Sequence, residues 1–592
     1  MRPNGLVKLA NFLTVTLFAS TLLGQQVLPN TGQQITPLAP RAANFQPLNP
    51  ELSDNPEYLA GQAASTVVSP DGKTLLVLTS GYNLVKYSSG PNEGNENVAD
   101  STQFVFVYDI SNKNPVPKQV IPIKNTYYGI AFDPSGKAFY VSGGMDDSVH
   151  IFALVSGSWS EQSGSPIALG HLAKATPPAS LGGVGLEVAP QAAGIAITQD
   201  GTKLVVANYY DDSISVLTKS PAGWSVTSEL DLRPGKINPA NSGAPGGEYP
   251  FWVVIAGNST AYVSSIRDRE IVVVNMQGST PTVLSRIKVP GQPNKMVLNS
   301  SQTMLFVAQD NTDSVGVISI ASNQLVGNIH VTAPKDLLPE SERKFKGNNT
   351  NSVTLSPDEK YLYVTNGWMN DIAVVELGAG PKHSRVIGLI PTGWYPNSVS
   401  FNADGSYMYV ANDKSPTGPN PGYCHGLTTA QSAQCSASNQ YDLQLIKAGL
   451  QSFPTPTPAE LSALTQQVAE NNHFGRKLSD EEADKLAFLH SHIHHIIYII
   501  KENRTYDQIL GDLAVGNGDP ELVQFGSATT PNLHNLASQF VDLDNFYDTS
   551  EVSMDGWPWS TSAPAPGGWC WWASHSWSRG IRLGSTWRSA PT

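Results

Sequence analysis

The sequence predicts a mainly β chain: a seven-bladed β-propeller followed by a short α/β segment. Three observations carry the propeller. An apolar strand, a Pro-Asp-Gly-like turn and a second apolar strand recur seven times between residues 61 and 412. Most copies are followed by a third strand with a polar start. Charged residues make up only 14% of the chain, against 51 glycines and 43 prolines, a balance that favours turn-rich β structure.

In chain order, residues 1–24 read as a secretory signal: Arg2 and Lys8 supply the positive end, Leu9 to Leu23 is mostly apolar, and Ser20 and Gly24 are small enough to flank a cleavage point. An uncleaved N-terminal anchor is the alternative. Either way the body of the chain is expected to be exported, to the periplasm or the extracellular space. No other window is apolar enough for a membrane span, so the mature chain is expected to have none. Residues 25–60 are a Pro-, Gln- and Asn-rich leader. The net charge is −13 and no basic block stands out, which argues against nucleic acid as a partner.

The repeats begin with Thr66-Val67-Val68-Ser69-Pro70-Asp71-Gly72-Lys73-Thr74-Leu75-Leu76-Val77. They return from Gly129, Gly194, Pro250, Asn294, Ser352 and Pro396. Third strands follow as Asp147-Ser148-Val149, Asp212-Ser213-Ile214, Asp313-Ser314-Val315 and Asn370-Asp371-Ile372. Runs of this length at a repeat of 40–65 residues match four-stranded blades. A propeller of seven such blades closes radially and so removes long exposed strand edges. The seventh copy, ending Tyr409-Val410-Ala411-Asn412, has no polar third strand, and the leader before Gln62 is expected to supply the missing one. The literal Tyr363-Val364-Thr365-Asn366 resembles the YVTN-type propeller repeats of secreted bacterial proteins, a likeness that speaks for fold more than function. Insertions at 83–101, 162–190, 231–249 and 331–348 are the usual place for ligand contacts, but they hold no dense His or Asp cluster. His150, His171 and His330 read as isolated structural or surface residues.

Residues 413–493 read as a connector. Cys424 and Cys435, eleven residues apart in a Gly/Pro-rich stretch of an exported chain, are expected to form a disulfide, with two free thiols as the alternative; Cys570 is expected to stay unpaired. Thr457-Pro458-Ala459-Glu460 and Ser479-Asp480-Glu481-Glu482 are capping boxes that each open a helix. Alternation would place His490, His492 and His494 on one face of an extended segment, as a metal site or a polar strand cap.

The segment 494–563 has a different texture. Ile496 to Ile500 is a β-branched apolar run of the kind buried on both faces of a parallel sheet, and it stops at Lys501-Glu502-Asn503. Ligands of α/β sheets sit at that end of a strand, and a carboxylate beside a carboxamide offers hard oxygen ligands. By spacing alone the segment reads rather as a solvated strand–helix turn capped by Asn503. Ile-Ile-Tyr-Ile-Ile-Lys-Glu-Asn-Arg-Thr-Tyr-Asp, residues 496–507, also resembles the opening strand and first metal-ligand motif of the phosphoesterase family, the phospholipase C and acid phosphatase type with an alkaline-phosphatase-like fold. The resemblance implies a divalent metal ion held by Glu502 and Asn503. It also implies a second strand at Phe540 to Tyr547 and a Ser or Thr nucleophile after it, with Ser553 the nearest match and Thr549 and Ser550 left open. Residues 564–592 are Trp-rich with little periodicity, and read as out-of-frame sequence. The α/β part is therefore expected to be a truncated fragment and a poor or inactive catalyst.

Two functions follow as expectations. One is an exported hydrolase of phosphate esters, with the propeller positioning substrate. The other is a non-catalytic extracytoplasmic binding module whose propeller ligand is unknown.

Overall fold

The computed structural model describes residues 24–28, 32–172, 190–334, 337, 347–416, 420, 446–475, 478–501, 503–546 and 560. The chain divides into two compact units, the second being Gly475–Thr549. Among the described residues no helix is long and apolar enough to cross a membrane.

The first unit is a seven-bladed propeller. Beside a short pair, Gln26–Val27 with Gln34–Ile35, it contains seven antiparallel sheets. Blades one to six span 63–123, 130–168, 192–231, 250–288, 293–330 and 350–391. The first strand of each blade touches the first strand of the next, and that of blade seven, Pro396–Phe401, touches that of blade one, Ala63–Val68, so the ring closes. Apolar faces of successive blades interlock between them. Val105 and Val107 of blade one, for example, meet Phe132, Phe139 and Phe152 of blade two, all buried. Each such side chain contributes roughly 1.5–3 kcal/mol by leaving water.

The two repeated turn signals have distinct jobs. In the first turn Ser69 Oγ donates to Asp71 Oδ1 at 2.6 Å, and Gly72 takes a left-handed φ of +70° that closes the hairpin. Thr198 and Asp200 (2.6 Å) and Ser356 and Asp358 (2.7 Å) repeat the arrangement. The polar start of the third strand also lies in left-handed backbone: Asp147, Asp212, Asp313 and Asn370 have φ of 53°, 52°, 48° and 54°. Asp and Asn tolerate this region better than most residues. Their side chains then accept backbone N–H groups of the loop leading to the next blade. Asp212 Oδ1 accepts from Tyr249 at 3.0 Å, Asp313 from Gly347 and Asn348 at 3.0 and 2.9 Å, and Asn370 from Tyr395 at 2.9 Å. The signal legible in sequence is thus a latch between blades.

Blade seven departs from expectation in one respect. The leader does contribute a strand, Asn44–Pro47, but as the outermost one. The third strand is Gly449–Pro454, from the stretch read as connector. The sheets therefore reach beyond 61–412 on both sides. The helix Pro458–Asn471 opens with the expected capping box at Thr457 and packs on the outer strand of blade six, Arg385–Pro391, where Leu389 N donates to Thr465 Oγ1 at 2.9 Å.

The second unit is helical and looped: Asp480–His492, with its capping box at Ser479, then Tyr506–Leu510 and Pro531–Gln539. Its described residues form no strand. Ile496 and Ile497, expected in a buried strand, are 85% and 87% exposed, and Phe540 and Val541 of the expected second strand are 73% and 82% exposed. An apolar run becomes a strand only when neighbours take up its backbone hydrogen bonds and cover its faces. Among the described residues none do, so they do not form the expected alkaline-phosphatase-like α/β layer. His490 and His492 lie in the helix, which overturns their placement with His494 on one face of an extended segment.

Candidate functional site at the propeller channel

One valine per blade fixes the register of the ring. Val77, Val141, Val206, Val263, Val307, Val364 and Val410, all fully buried, pair with Thr66, Ile130, Ile195, Val253, Met296, Val353 and Val399 of the innermost strands. Within one to three residues before those partners, six of the seven innermost strands have a register shift. Such bulges bend a strand and re-aim its side chains. The residues preceding the partners form one layer around the channel: Ser65, Gly129, Gly194, Trp252, Lys295, Ser352 and Ser398. Close approach demands the glycines, since a Cβ at Gly129 would lie 2.3 Å from Ala193 O and one at Gly194 2.5 Å from Phe251 O.

Lys295 and Trp252 are the exceptions to this small layer. The Lys295 side chain is only 3% exposed and reaches across the channel. Its Nζ donates to Ala64 O of blade one at 2.6 Å and to Asn397 O of blade seven at 2.9 Å. It also lies 5.3 Å from the ring centres of Tyr128, beside blade two, and Trp252, in blade four. One side chain of blade five therefore touches four other blades. Burial pushes its amine down to about 7, against the opposing charge of Asp413.

The channel end where the innermost strands begin is rich in aromatic rings. Tyr127 and Tyr128 meet edge to face at 4.9 Å, and Tyr209 stacks on Tyr249 at 5.0 Å. Half-buried Tyr210, Tyr249, Trp252, Trp368 and Trp394, from blades three, four and six and the loops that lead into blades four and seven, pack against this cluster. Tyr249 and Tyr395 have φ of 54° and 60°, a region costly for bulky residues, by about 1–3 kcal/mol. The latches from Asp212 and Asn370 hold them there.

The same face carries buried ionisable groups. His171 is not isolated: Nδ1 meets Asp147 at 2.6 Å and Nε2 meets Glu229 at 2.7 Å. Burial opposes its charge, but these hydrogen bonds and the nearby Asp211 outweigh it and bring the imidazole up to about 10. Burial raises Asp212 and Asp371 to about 7 each, against the backbone N–H of Tyr249 and the charge of Arg233 for the first and the Asn366 amide for the second.

Of the residues singled out in the sequence, Glu502, Ser553, Cys424, Cys435 and Cys570 lie outside the described residues, as do the signal segment to residue 23 and the tail from 561. Asn503 is exposed with φ 66°, just before the helix Tyr506–Leu510. Its motif neighbours serve local structure: Thr505 caps that helix, and Tyr506 donates to Asp542 Oδ2 at 2.7 Å, which brings the two motif-bearing segments together. Among the described residues no three His, Cys, Asp or Glu side chains are placed to share a metal ion.

These features define a seven-bladed β-propeller with an aromatic channel mouth. The family described as Lactonase, 7-bladed beta-propeller, matches residues 105–241 and 321–418, which leaves Trp252 and Lys295 outside both segments. A curated 6-phosphogluconolactonase from Blochmanniella pennsylvanica is 21% identical over 218 residues, 36% of this chain and 61% of the relative's length. Solved structures that align include a periplasmic gluconolactonase from Pseudomonas aeruginosa, 13% identical over 59% of this chain and 96% of that one, with a TM-score of 0.42. Another is a putative 6-phosphogluconolactonase from Bacteroides fragilis, 15% identical over 58% and 90%, also with a TM-score of 0.42.

Proposed function

We propose that the chain is an exported propeller that binds a small polyhydroxylated ring, of the sugar or sugar-lactone class, at the aromatic channel mouth. The observation that carries this reading is the set of five half-buried Tyr and Trp side chains, from three blades and two loops between blades, that pack against the aromatic cluster there. Rings of this kind offer apolar faces for the C–H faces of a sugar, while their polar edges keep hydrogen-bonding capacity. The similarity of the propeller to the lactonase family and to a relative named 6-phosphogluconolactonase supports the same ligand class and makes lactone hydrolysis the activity to assay. Calorimetric titration with glucose and gluconate, and a pH-stat assay on glucono-1,5-lactone, test it. Binding that is lost in Trp252→Ala is expected; no heat with glucose or gluconate together with no turnover of the lactone overturns the reading.

A second reading rests on the residue 502–507 motif: metal-dependent phosphate-ester hydrolysis, with a divalent cation on Glu502 and Asn503 and Ser553 as nucleophile. A metal would lower the hydroxyl pKa of such a residue and neutralise a phosphoryl oxygen. Two protein ligands are fewer than the roughly three of a catalytic site. On this reading aryl phosphate hydrolysis by the chain stays close to the buffer rate with any added divalent metal, and Glu502→Ala removes what there is. Robust metal-dependent turnover that survives Glu502→Ala refutes this ligand assignment.

A further inference from the structure

We infer that Lys295 is an oxyanion site: it receives a carboxylate or phosphate group of the ligand that enters the channel mouth, and binding there takes up a proton. This inference rests on the reading of that face as a sugar-binding site and adds the charge of the ligand to it.

The first ground is a count of donors. A neutral lysine amine has two N–H groups and an ammonium has three. Ala64 O and Asn397 O accept two. No third acceptor exists among the described residues, so the neutral amine is satisfied and the ammonium has one donor left over. The second ground is charge. Three arginines of this face are matched with carboxylates: Arg233 with Asp231 at 2.6 Å, Arg267 with Glu248 at 3.0 Å, and Arg286 with Glu270, while Lys414 lies over the Trp394 and Tyr395 rings. Among the described residues no carboxylate lies at ion-pair distance from Lys295, although it is buried. A cation out of water without an anion is costly, and an incoming oxyanion removes that cost. The third ground is position. The neighbours of Lys295 in its layer are serines, glycines and Trp252, so Lys295 is the one long polar side chain of that layer.

The groups facing Lys295 are Tyr128 beside blade two, with Tyr127 and Tyr395 near it, and Asp413 after the second strand of blade seven. Burial, the first cause, holds Tyr127 and Tyr128 far above their ordinary range, so they stay neutral. Asp413 alone adds charge, and it favours the ammonium. Since burial brings Lys295 to about 7, anion affinity should level off below that pH and fall about tenfold per unit above it.

The test is calorimetric titration of the full chain at pH 6 to 9 with gluconate, glucose 6-phosphate and neutral glucose. The wild type, Lys295→Met and Lys295→Arg are compared, with circular dichroism to verify folding. At least one anion is expected to bind more tightly than glucose, and the two anions distinguish carboxylate from phosphate. The preference should weaken about tenfold per unit above pH 7, vanish in Lys295→Met, and become independent of pH in Lys295→Arg, whose guanidinium does not deprotonate in this range. Equal binding of glucose and both anions, or an anion preference that survives in Lys295→Met, overturns the inference and leaves the sugar-site reading intact. Failure of all three ligands to bind overturns both. Should the variants not fold, the pH profile of the wild type decides alone, because a flat anion preference is incompatible with a lysine that titrates near 7.

Discussion

Asp371 lies buried at the start of the third strand of blade six, beside Pro391 of its outer strand, with the Asn366 amide donating to it at 2.8 Å. Burial raises it and Asp212 to about 7, so each holds a proton in the folded state that the unfolded chain releases near 4. Between these values the folded state binds more protons, and stability falls as pH rises, by up to roughly 1.4 kcal/mol per pH unit for each group. His171 continues the decline at higher pH: its folded value of about 10 gives a contribution present below 6.5 and lost on approach to 10. Lys295 acts in the opposite sense, with a folded value of about 7 that adds stability as pH rises from there towards 10.5. Asp371→Asn should therefore flatten the decline between pH 4 and 7, read as the urea midpoint against pH. An unchanged slope would show that this carboxyl is ionised in the fold. None of these shifts was legible from sequence. His171 read as isolated because its partners Asp147 and Glu229 are 24 and 58 residues away, and Lys295 read as an ordinary strand residue.

At the scale of elements, the repeated Asp or Asn before each third strand is both a conformational choice and a cross-blade acceptor. Asp313→Ala leaves two loop N–H groups without their carboxylate and adds strain at φ 48°, so a loss of roughly 1.5–3 kcal/mol or more is expected in thermal unfolding. Asp313→Asn keeps the tolerated backbone and one acceptor, and should lose less; equal losses would assign the effect to the carboxylate acceptors rather than the backbone. The blade count was legible because the turn chemistry recurs with every copy. The closing strands were not. Gly449–Pro454 lies beyond an insertion and lacks the polar start that marks other third strands, and Asn44–Pro47 is a four-residue strand in a Pro-rich leader. The site was hidden for a related reason: Lys295 stands out only after the repeats are aligned on their seven buried valines, where the equivalent positions hold Ser, Gly or Trp. Removing residues up to Pro47 should strip blade seven of its outer strand, expose the edge of Gly449–Pro454 and lower the melting temperature. A peptide covering residues 32–50 should restore part of the loss in trans, and a truncated chain that melts like the full one would refute the role given to this strand.

For the molecule as a whole, the two units are stabilised by different means. The propeller has seven mutually covered sheets and a closed ring, whereas the described residues of the second unit rely on short helices and local bonds such as His534 Nε2 to Asp512 at 2.7 Å. The strand expected at 496–500 is not formed among the described residues, because its apolar run meets no neighbour there. Apolar, β-branched composition states what a segment would bury, not whether a neighbour exists to bury it against. Hydrogen exchange is governed by local opening and separates the two cases. Amides of the second strands of the blades, such as Lys203–Asn208 and Tyr361–Asn366, should exchange slowly, because both backbone edges are paired. Amides of 494–500 and 541–546 should exchange at near-unprotected rates, and both segments should be early sites of limited proteolysis. Those exposed apolar runs also favour self-association, so protection there that grows with protein concentration would mean that copies of the chain pair through them. Strong protection independent of concentration would instead show that 494–500 is a paired strand, and would return the α/β sheet to the fold.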